Sequence, residues 1–148
     1  MKKLFTLVLV LILAISMLPG VSAAEQGTVV SRQKVELENG VVIVDPLVEY
    51  DNARVMGKVA KRTKDVYFNE VLIARVTMVA SFNYDGTTVS VTSASVTEKE
   101  TYQGWGYAQD SLTTIGGTAT LNARLTKLFY SSLPLTISIT CDVNGNLS

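Results

Sequence analysis

The segment TYQGWGYAQD, residues 101–110, contains the side chains best suited to bind a ligand. Trp105 is the only tryptophan of the chain, stands between two glycines, and has Tyr102 and Tyr107 close by. Aromatic rings can stack on sugars, but they also fill the interior of small β domains. In an extended segment, Trp105 and Tyr107 share one face and Tyr102 lies on the other. Trp105, Tyr107 and Tyr102 are therefore the candidate ligand-binding residues, although we favour a core position for Trp105.

The composition argues against catalysis. The chain has no histidine, which removes the commonest general base and zinc ligand and excludes Ser-His-Asp and Cys-His arrangements. No phosphate-binding glycine loop or nucleophile elbow is present. A glycosidase needs only two carboxylates, which Glu98, Glu100 and Asp110 could supply. We interpret these residues instead as charges that keep a strand edge soluble, and we predict a non-enzymatic protein without catalytic residues, metal or cofactor.

Two features near the C-terminus resemble chemical sites but have simpler explanations. Asp142, Asn144 and Asn146 form an oxygen-rich stretch that does not fit the calcium-loop template, and we interpret it as a turn. Cys141 is the only cysteine, so the chain has no internal disulfide. Because Cys141 belongs to a run of alternating apolar residues, we expect a small buried side chain rather than a nucleophile.

The first residues have the order of a secretory signal peptide. Lys2 and Lys3 form a positive start, residues 4–18 are apolar, and small residues follow. The apolar run is shorter than the roughly 20 residues that a membrane-spanning helix needs. We predict a signal peptide over residues 1–23, cleaved after Ala23 or Ala24, and no stable membrane insertion after cleavage.

Residues 24–148 are long enough for one domain with its own core. Once Lys2 and Lys3 are set aside, 11 of the 13 basic residues remain against 13 acidic residues. This slight negative balance gives no electrostatic reason to bind nucleic acid. We predict a single secreted domain that is free in the medium or held non-covalently at the cell surface.

Alternation of apolar and polar residues, typical of half-buried strands, dominates this domain. It is clearest over residues 74–84, which lead into Asp85-Gly86, a dipeptide typical of a two-residue type I′ hairpin turn. A turn of that type predicts that Phe82 faces Val89 in the next strand.

A second tight turn is predicted upstream, at Asn69-Glu70. Together the two turns give a three-stranded meander over residues 64–97. The middle strand is long, and its alternation breaks over residues 71–74, where we expect a bulge.

Two more strands follow a turn at residues 116–117. Apolar residues alternate over 119–125 and again over 135–143, and a turn at 144–145 ends the second run with little chain left for a return strand.

The front of the domain gives a weaker pattern. Residues 27–37 and 40–50 are predicted strands joined by a turn at 38–40, and Pro46 marks the second as an edge or bulged strand because proline lacks an N–H. Residues 53–60 suit a short strand, with a helix over 52–64 as the alternative. A group of basic residues is interpreted there as a solvated loop: Lys58, Lys61, Arg62 and Lys64.

These elements predict an all-β fold. Seven or eight short strands without helices form an antiparallel β-sandwich, which we expect to be immunoglobulin-like, with a small β-barrel as the alternative.

The second half of the chain, about residues 66–148, resembles a family of uncharacterised small secreted β-domain proteins of Gram-positive, gut Firmicutes-type bacteria. The likeness rests on Tyr102, GW at 104–105, the glycine pair at 116–117, TATLNARL at 118–125 and ISITCDVNGNLS at 137–148. It implies a secreted β domain and carries over no activity or catalytic residue. The chain departs from the family at Asn69-Glu70, where related chains have Asn-Gly.

The expected function is binding. The partner would be a glycan, the cell wall or a host protein, met at the bacterial surface or in the medium. One alternative is a secreted inhibitor or toxin-like effector that acts on a protein partner through a protruding loop. Another is self-assembly, because unpaired edge strands can join copies into an oligomer.

Overall fold

A computed structural model describes residues 27–37, 40–51 and 57–148 of the protein; the predicted signal peptide lies outside them. This part of the chain contains no α-helix. None of its elements is a helix long and apolar enough to cross a membrane. Eight strands account for most of it: β1 (Thr28–Leu37), β2 (Val41–Asp51), β3 (Gly57–Phe68), β4 (Val71–Tyr84), β5 (Val89–Thr101), β6 (Gly106–Ile115), β7 (Thr118–Thr126) and β8 (Leu133–Thr140).

The strands form two antiparallel sheets, one with the order β1-β2-β3-β4-β5 and one with the order β6-β7-β8. The predicted antiparallel sandwich is confirmed, and the sheets do not close into a barrel. The connectivity differs from the immunoglobulin arrangement, which places strands from distant parts of the chain side by side. Here each strand pairs only with strands adjacent to it in sequence, and the chain changes sheet once, between β5 and β6.

The core lies between the sheets and follows the alternation of the strands. Each fully buried Leu, Ile, Phe or Met side chain contributes roughly 1.5–3 kcal/mol relative to an exposed one. Cys141 is buried in this core as predicted, and burial raises the pKa of its thiol. The buried apolar side chains are Val41, Leu47, Ala60, Val66, Ile73, Ala74, Val76, Met78, Ala80, Phe82, Trp105, Ala119, Leu121, Ala123, Leu125, Leu135, Ile137, Ile139 and Cys141.

The β4–β5 hairpin forms, but the predicted two-residue turn is wrong. Tyr84 pairs with Val89 across a four-residue connection, so Phe82 faces Val91 rather than Val89. The cause is the Asp85 carboxylate, which accepts hydrogen bonds from the backbone N–H of residues 87 and 88 at 2.9 and 2.7 Å. This local turn competes with the type I′ geometry, which needs positive φ at both central residues.

The β3–β4 turn agrees with the prediction. Phe68 pairs with Val71, and Asn69 and Glu70 have φ values of 49° and 67°. The bulge is also where the sequence places it, since Val66 pairs with residue 74 and the next pair skips residue 73.

The basic residues of β3 are part of the sheet, which corrects both the solvated loop and the alternative helix. Arg62 Nε donates to Asp45 Oδ1 at 2.8 Å, and Arg62 Nη1 donates to the carbonyl of Ser138 at 2.7 Å. Lys64 Nζ lies 3.6 Å from Asp45 Oδ2. Since Ser138 belongs to β8, the Arg62 side chain links the two sheets. Residues 52–56 lie outside the described part.

Pro46 occupies an internal strand, contrary to the edge or bulge predicted for it. It pairs with Arg32 of β1, whereas the β2–β3 ladder has a gap between the Val44 and Leu47 pairs and resumes in the same register. The missing N–H therefore interrupts one ladder without shifting it.

The turn at residues 116–117 is confirmed, with Ile115 paired to Thr118. At the C-terminus the chain turns at 144–145 and returns far enough for one bridge between Cys141 and Leu147.

Candidate functional site

Four strand connections meet at one end of the sandwich, which we call the loop end. They are the β1–β2 turn at Gly40, the β3–β4 turn at 69–70, the β5–β6 turn at 102–105 and the β7–β8 connection at 127–132. A backbone hydrogen bond joins two of these connections, since Asn69 N–H donates to the Gly40 carbonyl at 3.1 Å. The N–H of residue 102 donates to the carbonyl of residue 73 in β4 at 2.9 Å, which fixes the β5–β6 turn to the larger sheet.

The segment that carries the candidate aromatics is a tight turn rather than an extended strand. Trp105 N–H donates to the Tyr102 carbonyl at 3.1 Å, and the two residues between them, Gln103 and Gly104, have φ values of 57° and 75°. Two successive positive φ values are typical of a type I′ turn. The turn sits where the chain passes from one sheet to the other, and it directs Trp105 into the core.

Trp105 is a core residue, as favoured from the sequence, with 6% of its surface exposed. Its ring centroid lies 6.1 Å from that of Phe68 and 5.8 Å from that of Tyr130, and Phe68 and Tyr130 meet edge to face at 5.9 Å. Lys127 Nζ lies 5.9 Å from the Trp105 ring centroid and 5.3 Å from that of Tyr130, within cation–π range. The indole is therefore enclosed by side chains and presents no free face to a sugar.

The two candidate tyrosines do not join Trp105 in one platform. Tyr107 is half-buried on β6, its hydroxyl is buried without a hydrogen-bond partner in the described part of the chain, and desolvation raises its pKa. Tyr102 is 36% exposed, and its hydroxyl donates to the Glu100 carboxylate, a hydrogen bond that raises the pKa of Tyr102. The geometry thus separates the three residues that the sequence grouped.

A run of three exposed apolar residues lies instead on the β7–β8 connection, which the sequence analysis missed. Leu128 is 76% exposed, Phe129 95% and Tyr130 52%. Tyr130 N–H donates to the Lys127 carbonyl at 3.1 Å, closing a turn with Phe129 at its third position. Val71 and Tyr102, in two other loop-end segments, are also exposed. The available signal was LFY, three large apolar residues directly before the Ser-Ser-Leu-Pro break.

Backbone strain is concentrated at the same end. Within the described ranges, the four residues other than glycine with positive φ are Asn69, Glu70, Gln103 and Phe129. All four belong to loop-end connections. Phe129, with φ 67°, stands at a position where turns normally use glycine or asparagine. A conformation this costly for a large side chain is found most often where a loop serves binding or catalysis.

Two shallow cavities open at the loop end. The one beside the aromatic cluster, of about 300 Å³, is lined by Phe68, Asn69, Val71, Ile73, Gln103, Trp105 and Lys127. The other, of about 470 Å³, is lined by Lys34, Glu36, Gly40, Val42, Asn69 and Glu70.

The carboxylates considered for a glycosidase do not share a site. Glu98 accepts a hydrogen bond from Thr77 Oγ1 at 2.6 Å on the outer face of the five-stranded sheet, where Glu100 also lies. Asp110 is on the three-stranded sheet, 3.2 Å from the exposed Arg124. Neither cavity at the loop end is lined by any of the three carboxylates.

The oxygen-rich stretch near the C-terminus is a turn. Asp142 Oδ1 accepts from the N–H groups of Asn144 and Asn146, each at 2.8 Å, and its other oxygen accepts from the Asn146 side chain at 2.7 Å. Among the residues whose placement is described, no group of three or more His, Cys, Asp or Glu side chains is arranged to hold a metal ion.

No family model, curated protein or solved structure matches this chain.

Proposed function

We propose that this chain is a secreted, non-enzymatic binding protein that contacts a protein partner through the loop end. The β-sandwich acts as a rigid frame, and the connections between its strands carry the contact surface. Leu128, Phe129 and Tyr130 form the centre of that surface, and Val71 and Tyr102 lie around them.

The observation that supports this proposal is the state of Phe129. The residue is 95% exposed and its backbone has positive φ, so it gains almost no burial and adopts a conformation unfavourable for its side chain. In the isolated protein, the side chain gives no stability to offset that cost. Burial of an exposed aromatic residue in a partner is the kind of contact that dominates protein interfaces.

A protein partner fits this surface better than a glycan. Sugar stacking needs an accessible flat ring, and the faces of the Trp105 indole are taken by Phe68, Tyr130 and Lys127. The exposed groups at the tip include the aliphatic Leu128 beside Phe129, a pair suited to an apolar pocket. The same protruding connection suits the inhibitor hypothesis, in which the protein partner is an enzyme.

The test compares three forms of the mature protein, residues 24–148: the natural sequence, Phe129→Asp and Ile115→Asp. Ile115 is 79% exposed at the opposite end of the sandwich. Ile115→Asp is therefore a matched control, because it also replaces an exposed apolar residue by aspartate but leaves the loop end unchanged. Each form is immobilised and offered proteins from the culture medium and the cell surface, purified peptidoglycan, and phosphatidylcholine–phosphatidylglycerol vesicles.

We expect the immobilised natural sequence and Ile115→Asp to retain a partner protein that Phe129→Asp does not retain. Equal retention by all three forms would contradict it, as would binding to peptidoglycan or vesicles alone. If the captured partner is an enzyme, inhibition by the natural sequence and not by Phe129→Asp assigns the inhibitor role.

A further inference from the structure

Among the residues that the structure describes, strand β1 is a sheet edge whose outer side pairs with no other strand. It is bonded to β2 on one side only, and its described side chains are exposed apart from the half-buried Ser31. Its register with β2 shifts once, between Val29 and Ser31, and is regular from there to Leu37. No proline interrupts this run. A regular edge of this length can accept another strand.

The other three edges of the described sheets are interrupted more extensively than the Ser31–Leu37 part of β1. In β8, Pro134 has no N–H, the Ser138 carbonyl accepts from Arg62, and Thr140 exchanges two hydrogen bonds of 2.9 Å with Ser148. In β6, the ladder skips Asp110, which leaves a bulge with a charged residue at the edge. In β5, the register with β4 shifts twice, and such bulges twist an edge away from pairing.

The charges along β1 are self-complementary about Val35. Lys34 precedes Val35 and Glu36 follows it, and in the sequence Arg32 and Glu38 continue the pattern outward. Lys34 and Glu36 point to the same face of the strand, beside Val44 and Val42 of β2. Neither makes an ion pair with any residue in the described ranges.

We propose that two copies of the chain associate through antiparallel pairing of their β1 strands, with the two-fold axis at Val35. In that register Lys34 of each copy faces Glu36 of the other, and the two exposed Val35 side chains face each other. Centring the pairing one residue away, on Lys34 or on Glu36, opposes two identical charges, so the charge pattern selects Val35. The strand pairing that results makes one continuous ten-stranded sheet from the two copies.

This inference goes beyond the proposed function and does not depend on it. Antiparallel pairing reverses one copy relative to the other, so the two loop ends of the dimer point in opposite directions.

The test uses sedimentation equilibrium of the mature protein from micromolar to millimolar concentration. Lys34→Glu and Glu36→Lys each turn both attractive cross-strand pairs into repulsive ones, and each is expected to raise the dimer dissociation constant about ten-fold or more. Lys99→Glu, at an exposed position on β5, changes the net charge by the same amount as Lys34→Glu and should leave dimerisation unchanged.

The decisive sample is an equimolar mixture of the two single variants, with circular dichroism confirming that each is folded. Its heterodimer places glutamates of one copy opposite lysines of the other, so mixing should restore association that is weakened in each variant alone. A natural sequence that stays monomeric throughout, single variants that dimerise as well as the natural sequence, or a mixture that stays monomeric would each overturn the inference.

Discussion

Replacing Phe129 by glycine should make the protein more stable while removing the central side chain of the proposed binding surface. The Phe129 backbone has a φ of 67°, which costs a residue with a Cβ about 1–2 kcal/mol relative to glycine. Glycine loses more backbone entropy on folding than other residues, which lowers the stability of the variant by roughly 0.5–1 kcal/mol. Because the ring is 95% exposed, the burial lost is close to zero. The net expectation for Phe129→Gly is a gain of about 0–1.5 kcal/mol in the free energy of unfolding.

Urea unfolding followed by circular dichroism measures this gain, with Ile115→Gly as the control. Ile115 is also exposed but is not among the positive-φ residues, so glycine there brings the entropic cost with no relief of strain, and the control should be less stable. Phe129→Ala keeps the Cβ and removes the ring, and its stability should match the natural sequence. If Phe129→Gly is destabilised like Ile115→Gly, Phe129 is not strained, and the reasoning that makes it a binding residue fails.

Three further predictions concern the core and the turns. Trp105→Ala should cost about 3–5 kcal/mol in the free energy of unfolding by chemical denaturation, because it empties the centre of the aromatic cluster; a cost under ~1 kcal/mol would contradict the core assignment. Asp85 and Asp142 have pKa values lowered by N–H donors of their own turns, so their contribution to stability is present above the ordinary pKa of 3.8 and is lost as the pH falls through the lower folded value. The urea concentration at the unfolding midpoint should therefore decrease when the pH is lowered from 5 to 3, and it should decrease less in the Asp85→Asn, Asp142→Asn double variant. An equal decrease in the natural sequence and the double variant would show that these turns are not the cause. The Cys141 thiol, buried and with a raised pKa, should react with a disulfide reagent only in denaturant, and rapid reaction of the native protein would show that the site is open.

The strands and their faces could be predicted from the sequence because burial on one face imposes a period of two. The pattern over residues 74–84, the glycine pair at 116–117 and the apolar run from residue 135 all fall on observed strands and turns. At Asp85 the hairpin was predicted correctly but its register was not. The type I′ preference of Asp-Gly lost there to the Asp85 side chain, which bonds the N–H groups of the following residues.

Features set by contacts between distant parts of the chain could not be predicted. The basic residues of β3 resembled a solvated loop because their acidic partners, such as Asp45, come from a neighbouring strand. The connectivity could not be predicted either, because alternation of apolar and polar residues indicates strands and their faces but does not specify which strands pair. Secretion, the family resemblance and the absence of enzymatic activity stay predictions.

The candidate site was the least predictable part, because exposure of a side chain depends on the whole fold. The sequence drew attention to Trp105, whose rarity and glycine neighbours suit a ligand platform and a buried corner equally. Leu128, Phe129 and Tyr130 form an apolar run that alone looks like the end of a strand. The fold shows that this run caps one end of the sandwich, where the strained turns also gather.

The central claim, that Phe129 contacts a protein partner, is tested most directly by photo-crosslinking from its own position. The photoreactive phenylalanine analogue p-benzoylphenylalanine is placed at residue 129, or at residue 115 as the control, and the protein is irradiated with the proteins of the surrounding medium and cell surface. The account predicts a discrete crosslinked protein from position 129 and none from position 115. No crosslink from position 129, or the same crosslinks from both positions, would contradict it.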